Sequence, residues 1–508
     1  MTETPAGNVA ARARGWRISL SQLWVMVAIC GILIVLDLTL VRSNDFWWHV
    51  RAGQWIVANG RIPAVDLFSY TRLGTPFTYE MWLMQVVLYL LLRSGGLPLI
   101  IFFHALAITA AYALLLRTNQ RAAGGDARWA VLVTLAAAAL GVNNYNVRPQ
   151  TISFPLFALT LFLLEVSARR QGAGANEGEG GRALWALPPL FALWANAHGG
   201  FVFGLALLGA SLLGRLVDWL RHRERFPTRL AMVTGLCAAA TCLTPSGLGM
   251  ASYVLGFVRH PVTRSLNVEF MPATIRTAEG LLLFGFSACV AALVAVGRYR
   301  PTAGEAVRLL LFGGLALAAR RNVIWFGFVA APTAAACLGC WAAGRGTPRA
   351  QRAGRPRLNQ AFAALAALAA LLSLPWLRPQ LPLPKGLQAY LAPETPVQAV
   401  AFLKTLPAPL RLVHSEADGS YLIWAAPEVP VFIDTRIELY PNEQWDDYVA
   451  LFQARYDWEA ILERYGADTL LLERQKASPL IAAAAASPSW RELYGDDQAV
   501  IYQRLGAP

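Results

Sequence analysis

The side chains best suited to chemistry in this chain are two acids and a histidine that follow its first hydrophobic segment. Asp45 and His49 lie in the stretch SNDFWWHVRAGQW (43–55), directly after the apolar run 21–41, and Glu80 precedes another apolar run. A carboxylate in a partly dry cleft can take a proton from a reacting hydroxyl, which makes it a candidate general base. We therefore predict that Asp45 and Glu80 are catalytic and meet at the mouth of a helix bundle.

The tryptophans around Asp45 have a simpler explanation. Trp48 and Trp55 share one helical face, so residues 46–58 are expected to form an interfacial helix with its aromatic rings at headgroup level. That arrangement accounts for the tryptophans but gives no role to Asp45. His49 either orients Asp45 or an acceptor, or is a polar residue of the interface.

The composition is that of a membrane protein with many spans. Of 508 residues, 56% are hydrophobic and only 15% are charged, and runs long enough for a spanning helix recur along residues 1–377. The N-terminus has no pattern of a cleaved signal peptide, so the first run is expected to be retained as a span. The eleven predicted spans are 21–41, 97–116, 129–143, 151–168, 184–197, 201–220, 230–245, 280–297, 305–319, 322–343 and 359–377.

The distribution of charge predicts how these spans are oriented. Residues 1–377 contain 33 Arg and Lys against 14 Asp and Glu, whereas residues 378–508 contain 11 against 17. The excess arginine lies in short loops such as RHRER (221–225), as in cytoplasmic loops. We therefore place the tail 1–20 in the cytoplasm, residues 378–508 outside the cell, and the protein in the inner (plasma) membrane. Because the soluble part is acidic, nucleic acid is not an expected partner.

The predicted fold is mainly α: a membrane helical bundle (21–377) followed by an extracytoplasmic α/β domain (378–508). The first outer loop, 42–96, contains Met81–Leu92, an apolar piece too short to cross comfortably, which we expect to lie in the membrane surface. The alternative is that this piece is a further span. In the C-terminal domain, strand-like runs alternate with helical ones. The predicted strands are 411–414, 431–434, 469–473, 490–494 and 499–503, and the predicted helices lie near 394–405, 442–453 and 457–465.

Motifs of several enzyme and pump classes are missing from the sequence. It contains no phosphate-binding loop of the ATPase type, no dinucleotide fingerprint, no zinc-protease helix and no nucleophile elbow. It also lacks an Asp-x-Asp pair of the kind that holds a metal-bound nucleotide sugar. These absences argue against an ATP-driven pump and against a soluble-type nucleotide-sugar transferase.

Several stretches together resemble a known superfamily. One span, an outer loop that begins with an acid, interfacial helices and YEMWL (79–83) before an apolar run are similar to the GT-C superfamily of integral-membrane glycosyltransferases. The sequence is most similar to a bacterial branch of lipopolysaccharide-core sugar transferases, which resembles protein O-mannosyltransferases and aminoarabinose transferases. The stretches that carry the resemblance are 45–71, VRPQ (147–150), WANAHGGF (194–201), TPSGLG (244–249) and FIDTRIELY (432–440).

The resemblance implies roles for the acids of the first outer loop. In the superfamily an acid early in this loop is the catalytic base, here Asp45, and a second acidic or polar motif corresponds to Glu80. Many members have adjacent Asp-Glu where this chain has Asn44-Asp45, and His-Pro-Pro where it has residues 79–81. The identities of the sugar and the acceptor therefore do not carry over. Asp66, farther along the same loop, is expected to be dispensable.

The implied reaction also calls for cations, because the leaving group is a lipid phosphate. Arg148, Arg320 and Arg321 lie at the outer ends of predicted spans, and a guanidinium group suits phosphate. For each of them, snorkelling to the interface is the alternative. The possible substrate contacts are His49, His198, Asp37 and Asn322. His198 alternatively packs a tight turn, and Asp37 alternatively pairs with an arginine.

The sequence thus predicts a membrane glycosyltransferase (hexosyl- or pentosyltransferase) that works on the extracytoplasmic side. It would move a sugar from a polyprenyl-phosphate donor to a hydroxyl of a glycan, lipid or protein acceptor, in contact with membrane lipids. No cofactor is assigned, and a divalent metal is left open. The competing predictions are a transporter or flippase of a lipid-linked saccharide, and a non-catalytic partner of a polysaccharide assembly machine. Asp434, Arg436 and Glu438 are expected to form a structural ion-pair cluster.

Overall fold

A bundle of apolar helices forms the part of the protein before residue 378. The computed structural model describes residues 17–172, 182–222, 225–259, 262, 267–344 and 355–506. The helices of the bundle and its loops are α1 (Leu20–Asp37), α2 (Phe46–Asn59), α3 (Trp82–Ala122), α4 (Ala127–Leu140), α5 (Ser153–Gly172), α6 (Leu187–Ala197), α7 (Phe201–His222), α8 (Thr228–Ala240), α9 (Gly249–Arg259), α10 (Ala278–Val296), α11 (Ala303–Ala318), α12 (Val323–Ala343) and α13 (Pro356–Leu372).

Each of the eleven predicted spans contains a helix, but the helices differ in length. Within the described residues, six helices are long and apolar enough to cross a membrane, and three shorter ones are apolar. In a bilayer, a long apolar run forms a helix, because a helix bonds all of its backbone polar groups within the segment. The protein is therefore a membrane protein, and the count of eleven spans stays a prediction.

The apolar piece 81–92 forms the first arm of α3, which bends at Gly96. Gly96 has φ 65° and ψ −164°, a conformation essentially restricted to glycine, and Pro98 follows it. The first arm packs closely against α2. A Cβ atom placed on Gly53 would lie 2.0 Å from the carbonyl oxygen of Gln85, so a residue without a side chain is required there. Whether the first arm crosses the membrane stays open.

The C-terminal part is a small α/β domain, as predicted. Its four strands lie in the order β1-β2-β4-β3, with β1 parallel to β2 and the other pairs antiparallel. The strands are β1 (Leu412–His414), β2 (Thr469–Glu473), β3 (Trp490–Gly495) and β4 (Ala499–Arg504), and the helices are α14 (Val397–Leu403), α15 (Glu416–Ala425), α16 (Asn442–Phe452), α17 (Trp458–Arg464) and α18 (Ser478–Ala486). The predicted strand 431–434 is wrong: Val431 makes only an isolated bridge to Ser69.

The first outer loop and the C-terminal domain share one hydrophobic core. Trp47 is 3% exposed and Trp48 is 5% exposed, and both belong to the cluster that contains the strands of the domain. The ring of Trp47 packs edge-on against Tyr421, with ring centroids 5.2 Å apart. The predicted position at headgroup level is therefore wrong for Trp48, since protein covers it, and stays a prediction for the half-buried Trp55. Trp47 and Trp48 pack α2 against α15.

Candidate functional site

Asp45 begins α2 with its carboxylate turned away from the capping role that its position suggests. An aspartate at the start of a helix usually accepts a hydrogen bond from the first turn. Asp45 has helical backbone angles, φ −45° and ψ −32°, and makes no such bond. The side chain of Asp45 is 31% exposed. The carboxylate is therefore accessible to another molecule.

Arg148 lies between Asp45 and a second acid, Glu269. Its Nη1 atom is 3.7 Å from Oδ2 of Asp45, and its Nη2 atom is 2.8 Å from Oε1 of Glu269. Arg148 stands just before the 3-10 turn Pro149–Ile152, and Glu269 lies in the 3-10 turn Val268–Phe270. Glu269 was not among the residues predicted from the sequence. The signal available for it was that it is one of only two acids in the predicted outer loop 246–279.

The surroundings shift the pKa values of Asp45 and Glu269 in opposite directions. Burial raises the pKa of Asp45, and Arg148, the Thr435 hydroxyl and Arg321 oppose this shift only in part. Burial also acts on Glu269, but there Arg148 and Arg321 outweigh it and lower the pKa. Glu269 is thus the fixed counter-charge of Arg148, whereas the proton affinity of Asp45 is raised toward that of a useful base.

The three residues Arg320–Asn322 form a 3-10 turn between α11 and α12, and they have different partners. Arg320 pairs with Glu279, Nη1 to Oε1, at 3.2 Å. The Asn322 side chain donates to the carbonyl of Leu315 at 2.9 Å and so serves the end of α11. In the described part of the chain, no carboxylate lies within 4.0 Å of Arg321, whose guanidinium lies 4.5 Å from the ring centre of Phe270. Arg321 is the least neutralised cation of this turn.

His198 lies near the two site arginines. Its Nδ1 atom accepts from the backbone N–H of Gly200 at 2.9 Å and lies 2.8 Å from the hydroxyl of Ser153. With Nδ1 occupied as an acceptor, the ring proton belongs on Nε2. Burial, Arg321 and Arg148 lower the pKa of His198 to about 3, so the ring is neutral. His198 therefore has its predicted role in packing the turn, and its Nε2–H remains as a hydrogen-bond donor.

His49 is buried away from the carboxylate of Asp45. Its ring packs on Trp48 with centroids 3.6 Å apart, and Nδ1 lies 3.1 Å from Nε2 of Gln85. Burial lowers its pKa well below the ordinary value. At 2% exposure, His49 links α2 to the first arm of α3. The interfacial alternative for this residue is wrong.

Glu80 belongs to a neighbouring group rather than to the Asp45 group. It lies beside Glu438 and Tyr253, and the Tyr253 hydroxyl donates to Oε1 of Glu438 at 2.8 Å. Burial and the adjacent Glu438 raise the pKa of Glu80 to about 8, and burial raises that of Glu438. With a pKa of about 8, Glu80 keeps its proton at neutral pH.

The segment 434–438 of the C-terminal domain joins both groups. The side chain of Thr435 is hydrogen-bonded to that of Asp45. The hydroxyl oxygens of Thr435 and Ser420 lie 2.9 Å apart. Glu438 lies close enough to Glu80 for its charge to raise the pKa of Glu80. The C-terminal domain therefore contributes side chains to the end of the bundle at which Asp45 lies.

Arg436, between these two residues, fixes the same segment to the first outer loop. Its Nη1 lies 2.6 Å from Oδ1 of Asp66, and its Nη2 lies 2.6 Å from Oδ2 of Asp434, with all three side chains fully buried. The predicted ion-pair cluster is present for Asp434 and Arg436, but Glu438 lies with Glu80 instead. Because Asp66 is part of this cluster, Asp66→Asn also removes a structural ion pair, and the expectation that this variant stays active remains a prediction.

Asp37 lies apart from these groups. The Ser373 hydroxyl donates to its Oδ2 at 3.2 Å, and Arg378 donates to its backbone carbonyl at 3.0 Å. The residue is fully buried between α1 and α13. This contact of Arg378 is with the backbone of Asp37. The full burial of the Asp37 side chain disfavours the predicted substrate contact, and its pairing with an arginine stays a prediction.

A metal ligand set is not evident in this region. Among the described residues, no group of three or more His, Cys, Asp and Glu is arranged to hold a metal ion. The guanidinium of Arg148 lies between the two carboxylates that would be the first candidates.

Comparison with known proteins bears on the fold. Neither a protein-family model nor a curated protein matches the sequence. The chain is similar to the Archaeoglobus fulgidus oligosaccharyltransferase tethered with an acceptor peptide containing the NVT sequon, with TM-score 0.57, 14% identity, 95% of this chain and 74% of that chain covered. It is similar to ArnT from Cupriavidus metallidurans in the apo state, with TM-score 0.52, 15% identity and coverage of 94% and 97%.

A third similar structure is the arabinofuranosyltransferase AftD from Mycobacteria, with TM-score 0.54 and 15% identity. The likeness covers 96% of this chain and 42% of that one. At such identities the shared property is the fold. The chain shares with these structures a fold in which an apolar helical bundle is followed by a small C-terminal sheet.

Proposed function

We propose that the protein is a membrane glycosyltransferase that moves a sugar from a polyprenyl-phosphate donor to an acceptor hydroxyl. Asp45 is the general base, and Arg321, with Arg148, binds the donor phosphate. The observation that carries the proposal is the position of an accessible carboxylate beside Arg148, with Arg321 close enough to affect its pKa. The similar structures are an oligosaccharyltransferase with a tethered acceptor peptide and an arabinofuranosyltransferase, which is consistent with this reaction class.

The proposed step balances as one displacement at the anomeric carbon. Asp45 takes the hydroxyl proton as the acceptor oxygen forms its bond to that carbon. The bond from carbon to the phosphate oxygen breaks, and polyprenyl phosphate leaves with the electron pair. The negative charge that builds on the phosphate is offset by Arg321, because a preorganised cation costs no reorganisation at that moment.

His198 has a place in this scheme as a neutral donor. Its Nδ1 is occupied by Gly200 and Ser153, which leaves the Nε2 proton for a substrate oxygen. Its pKa of about 3 keeps the ring from adding positive charge near Arg148. We assign His198 to substrate binding and the Asn322 side chain to capping of α11.

The transporter and non-catalytic alternatives predict different roles for the same residues. In a transporter, Asp45 would bind or release a saccharide without gaining a proton from it. In a partner protein, Arg321 would have no need to stay free of a carboxylate. The sites are built at one outer end of the bundle rather than along a path through it, which favours the transferase.

Donor binding distinguishes Arg321 from its neighbour. Purified full-length protein is titrated with a panel of synthetic polyprenyl-phosphate hexoses and pentoses, and Kd is measured for the parent, Arg321→Gln and Arg320→Gln. We expect Arg321→Gln to weaken binding about tenfold or more, since a hydrogen bond to a charged group contributes about 1.5–3 kcal/mol. Arg320→Gln removes the same charge but lies in the Glu279 pair, so its effect should be smaller. Equal affinity for the parent and Arg321→Gln would contradict the assignment.

A further inference from the structure

The stretch FIDTRIELY (432–440) contains a hydroxyl group that neither the ion-pair cluster nor the proposed mechanism uses. The side chain of Thr435 is hydrogen-bonded to that of Asp45. The hydroxyl oxygen of Thr435 also lies 2.9 Å from that of Ser420, a fully buried residue of α15. Thr435 therefore connects the carboxylate of Asp45 to the interior of the C-terminal domain.

The two hydroxyl groups can be arranged in only one way while Asp45 is ionised. A carboxylate only accepts hydrogen bonds, so the single hydroxyl proton of Thr435 must point to Asp45. The contact between the two hydroxyl groups then requires Ser420 to donate its proton to the oxygen of Thr435. Ser420 thus fixes the rotation of the Thr435 hydroxyl, and Thr435 donates a charge-assisted hydrogen bond to Asp45.

Close backbone packing fixes the position of Thr435 relative to α15. A Cβ atom placed on Gly419, in α15, would collide with the carbonyl oxygen of Ile433. The helix therefore approaches the segment that carries Thr435 as closely as the two backbones allow. The neighbours of Thr435 in the chain, Asp434 and Arg436, form an ion pair and are fully buried. Thr435 therefore has little freedom to move away from α15.

The same helix also holds the chain on both sides of Asp45. The hydroxyl of Ser43 donates to the carbonyl oxygen of Ala417 at 3.1 Å, and the ring of Trp47 packs edge-on against Tyr421. Ser43 lies two positions before Asp45, and Trp47 lies two positions after it. The proposed base and the hydroxyl that contacts it are therefore both positioned by α15.

We infer that Thr435 is a positioning residue for Asp45, and that its hydroxyl, oriented by Ser420, holds the carboxylate in the orientation that receives the acceptor proton. This inference rests on the proposed function, since it takes Asp45 to be the general base. Thr435 keeps its own proton, and the acceptor proton goes to Asp45. Orientation of the base matters because a small misplacement of a catalytic group lowers the rate strongly.

Loss of the Thr435 hydroxyl should change both the rate of transfer and its pH dependence. The charged groups that act on Asp45 are Arg148, Glu269 and Arg321, and all three stay in place when a neutral hydroxyl is removed. The hydrogen bond from Thr435 lowers the pKa of Asp45, so its removal should raise that pKa. Since Asp45 acts as a base only when ionised, the acidic limb of the rate profile should move to higher pH.

The test measures transfer by the purified full-length protein as a function of pH. Membranes of a strain that lacks the protein supply the acceptor, and a panel of radiolabelled polyprenyl-phosphate hexoses and pentoses supplies the donor. We expect Thr435→Val to lower the rate about tenfold, as for the loss of one hydrogen bond to a charged group, and to move the acidic limb to higher pH. Thr435→Ser keeps the hydroxyl and should keep the parental rate and profile. Ser420→Ala should act as Thr435→Val does, to a smaller extent.

Thr405→Val is the matched control, because it removes the hydroxyl of an exposed threonine in the same domain, and it should transfer at the parental rate. The inference is overturned if Thr435→Val has the parental rate and profile while Asp45→Asn is inactive. It is also overturned if Thr435→Ser loses as much activity as Thr435→Val, or if Thr435→Val is slower with an unchanged pH profile, since a purely structural role would act in this way. Equal transfer by the parent and Asp45→Asn would instead contradict the proposed function.

Discussion

Oδ2 of Asp45 lies 3.7 Å from Nη1 of Arg148. This is an ion pair whose two atoms are too far apart for a hydrogen bond. The closer contact of Arg148, at 2.8 Å, is with Glu269. Arg148 therefore stabilises the ionised form of Asp45 without occupying its oxygens at short range. This relationship leaves the carboxylate able to bind an acceptor hydroxyl, which is what a general base requires.

Replacing Arg148 should change the pH dependence of transfer. Arg148 opposes the rise that burial causes in the pKa of Asp45, so Arg148→Gln should raise that pKa further. Since the base works only when ionised, the acidic limb of the rate profile should move to higher pH. Arg148→Lys keeps a charge there and should move it less. A profile of the same shape for all three proteins would show that Arg148 does not act on the base.

Glu80 should make stability fall as pH rises. Its pKa is about 8 in the folded protein against an ordinary 4.5, so between these values the unfolded chain has released a proton that the folded protein keeps. The contribution is complete below pH 4.5 and is lost progressively up to about pH 8. Glu80→Gln cannot ionise, so its Tm should fall less than that of the parent between pH 5 and 8. Parallel curves of Tm against pH would contradict the raised pKa of Glu80.

Breaking the buried Arg436 cluster should destabilise the joint between the bundle and the C-terminal domain. Arg436→Gln leaves Asp66 and Asp434 as uncompensated buried charges. The expected loss is about 3–5 kcal/mol of the free energy of unfolding, measured by denaturation in detergent. Asp66→Asn should also destabilise, because it removes one partner of the same arginine. Arg455→Gln, a substitution of an exposed arginine in the same domain, should have almost no effect.

The sequence predicted the elements better than the contacts between them. Long apolar runs and alternating patterns depend on neighbouring residues, so the helices of the bundle and strands β1 to β4 lie where expected. The segment 431–434 was wrong because its environment is set by Ser69, far away in the chain. Arg148 was predicted as a phosphate contact, but its pairing with Glu269 depends on how two outer loops meet. Local periodicity holds no information on that meeting.

The predicted orientation has a direct test. In a variant without native cysteines, Ala486→Cys in the C-terminal domain should react with a membrane-impermeant thiol reagent in intact cells. Ala350→Cys, in a predicted inner loop that lies outside the described residues, should react only after the membrane is opened. These results follow from the positive-inside pattern. Reaction at 350 in intact cells, or none at 486, would contradict the topology.

If Asp45 is the catalytic base, its replacement should change the glycans and lipids that the cell makes. A strain that lacks the protein is complemented with the parent, Asp45→Asn or Asp457→Asn, a substitution of an exposed acid in the C-terminal domain, at equal protein amounts. Mass spectrometry of its envelope glycans and lipids then measures transfer. The parent and Asp457→Asn should restore a product one sugar heavier, whereas Asp45→Asn should reduce its rate of formation by about 10²–10⁴-fold. Full restoration by Asp45→Asn would contradict the account.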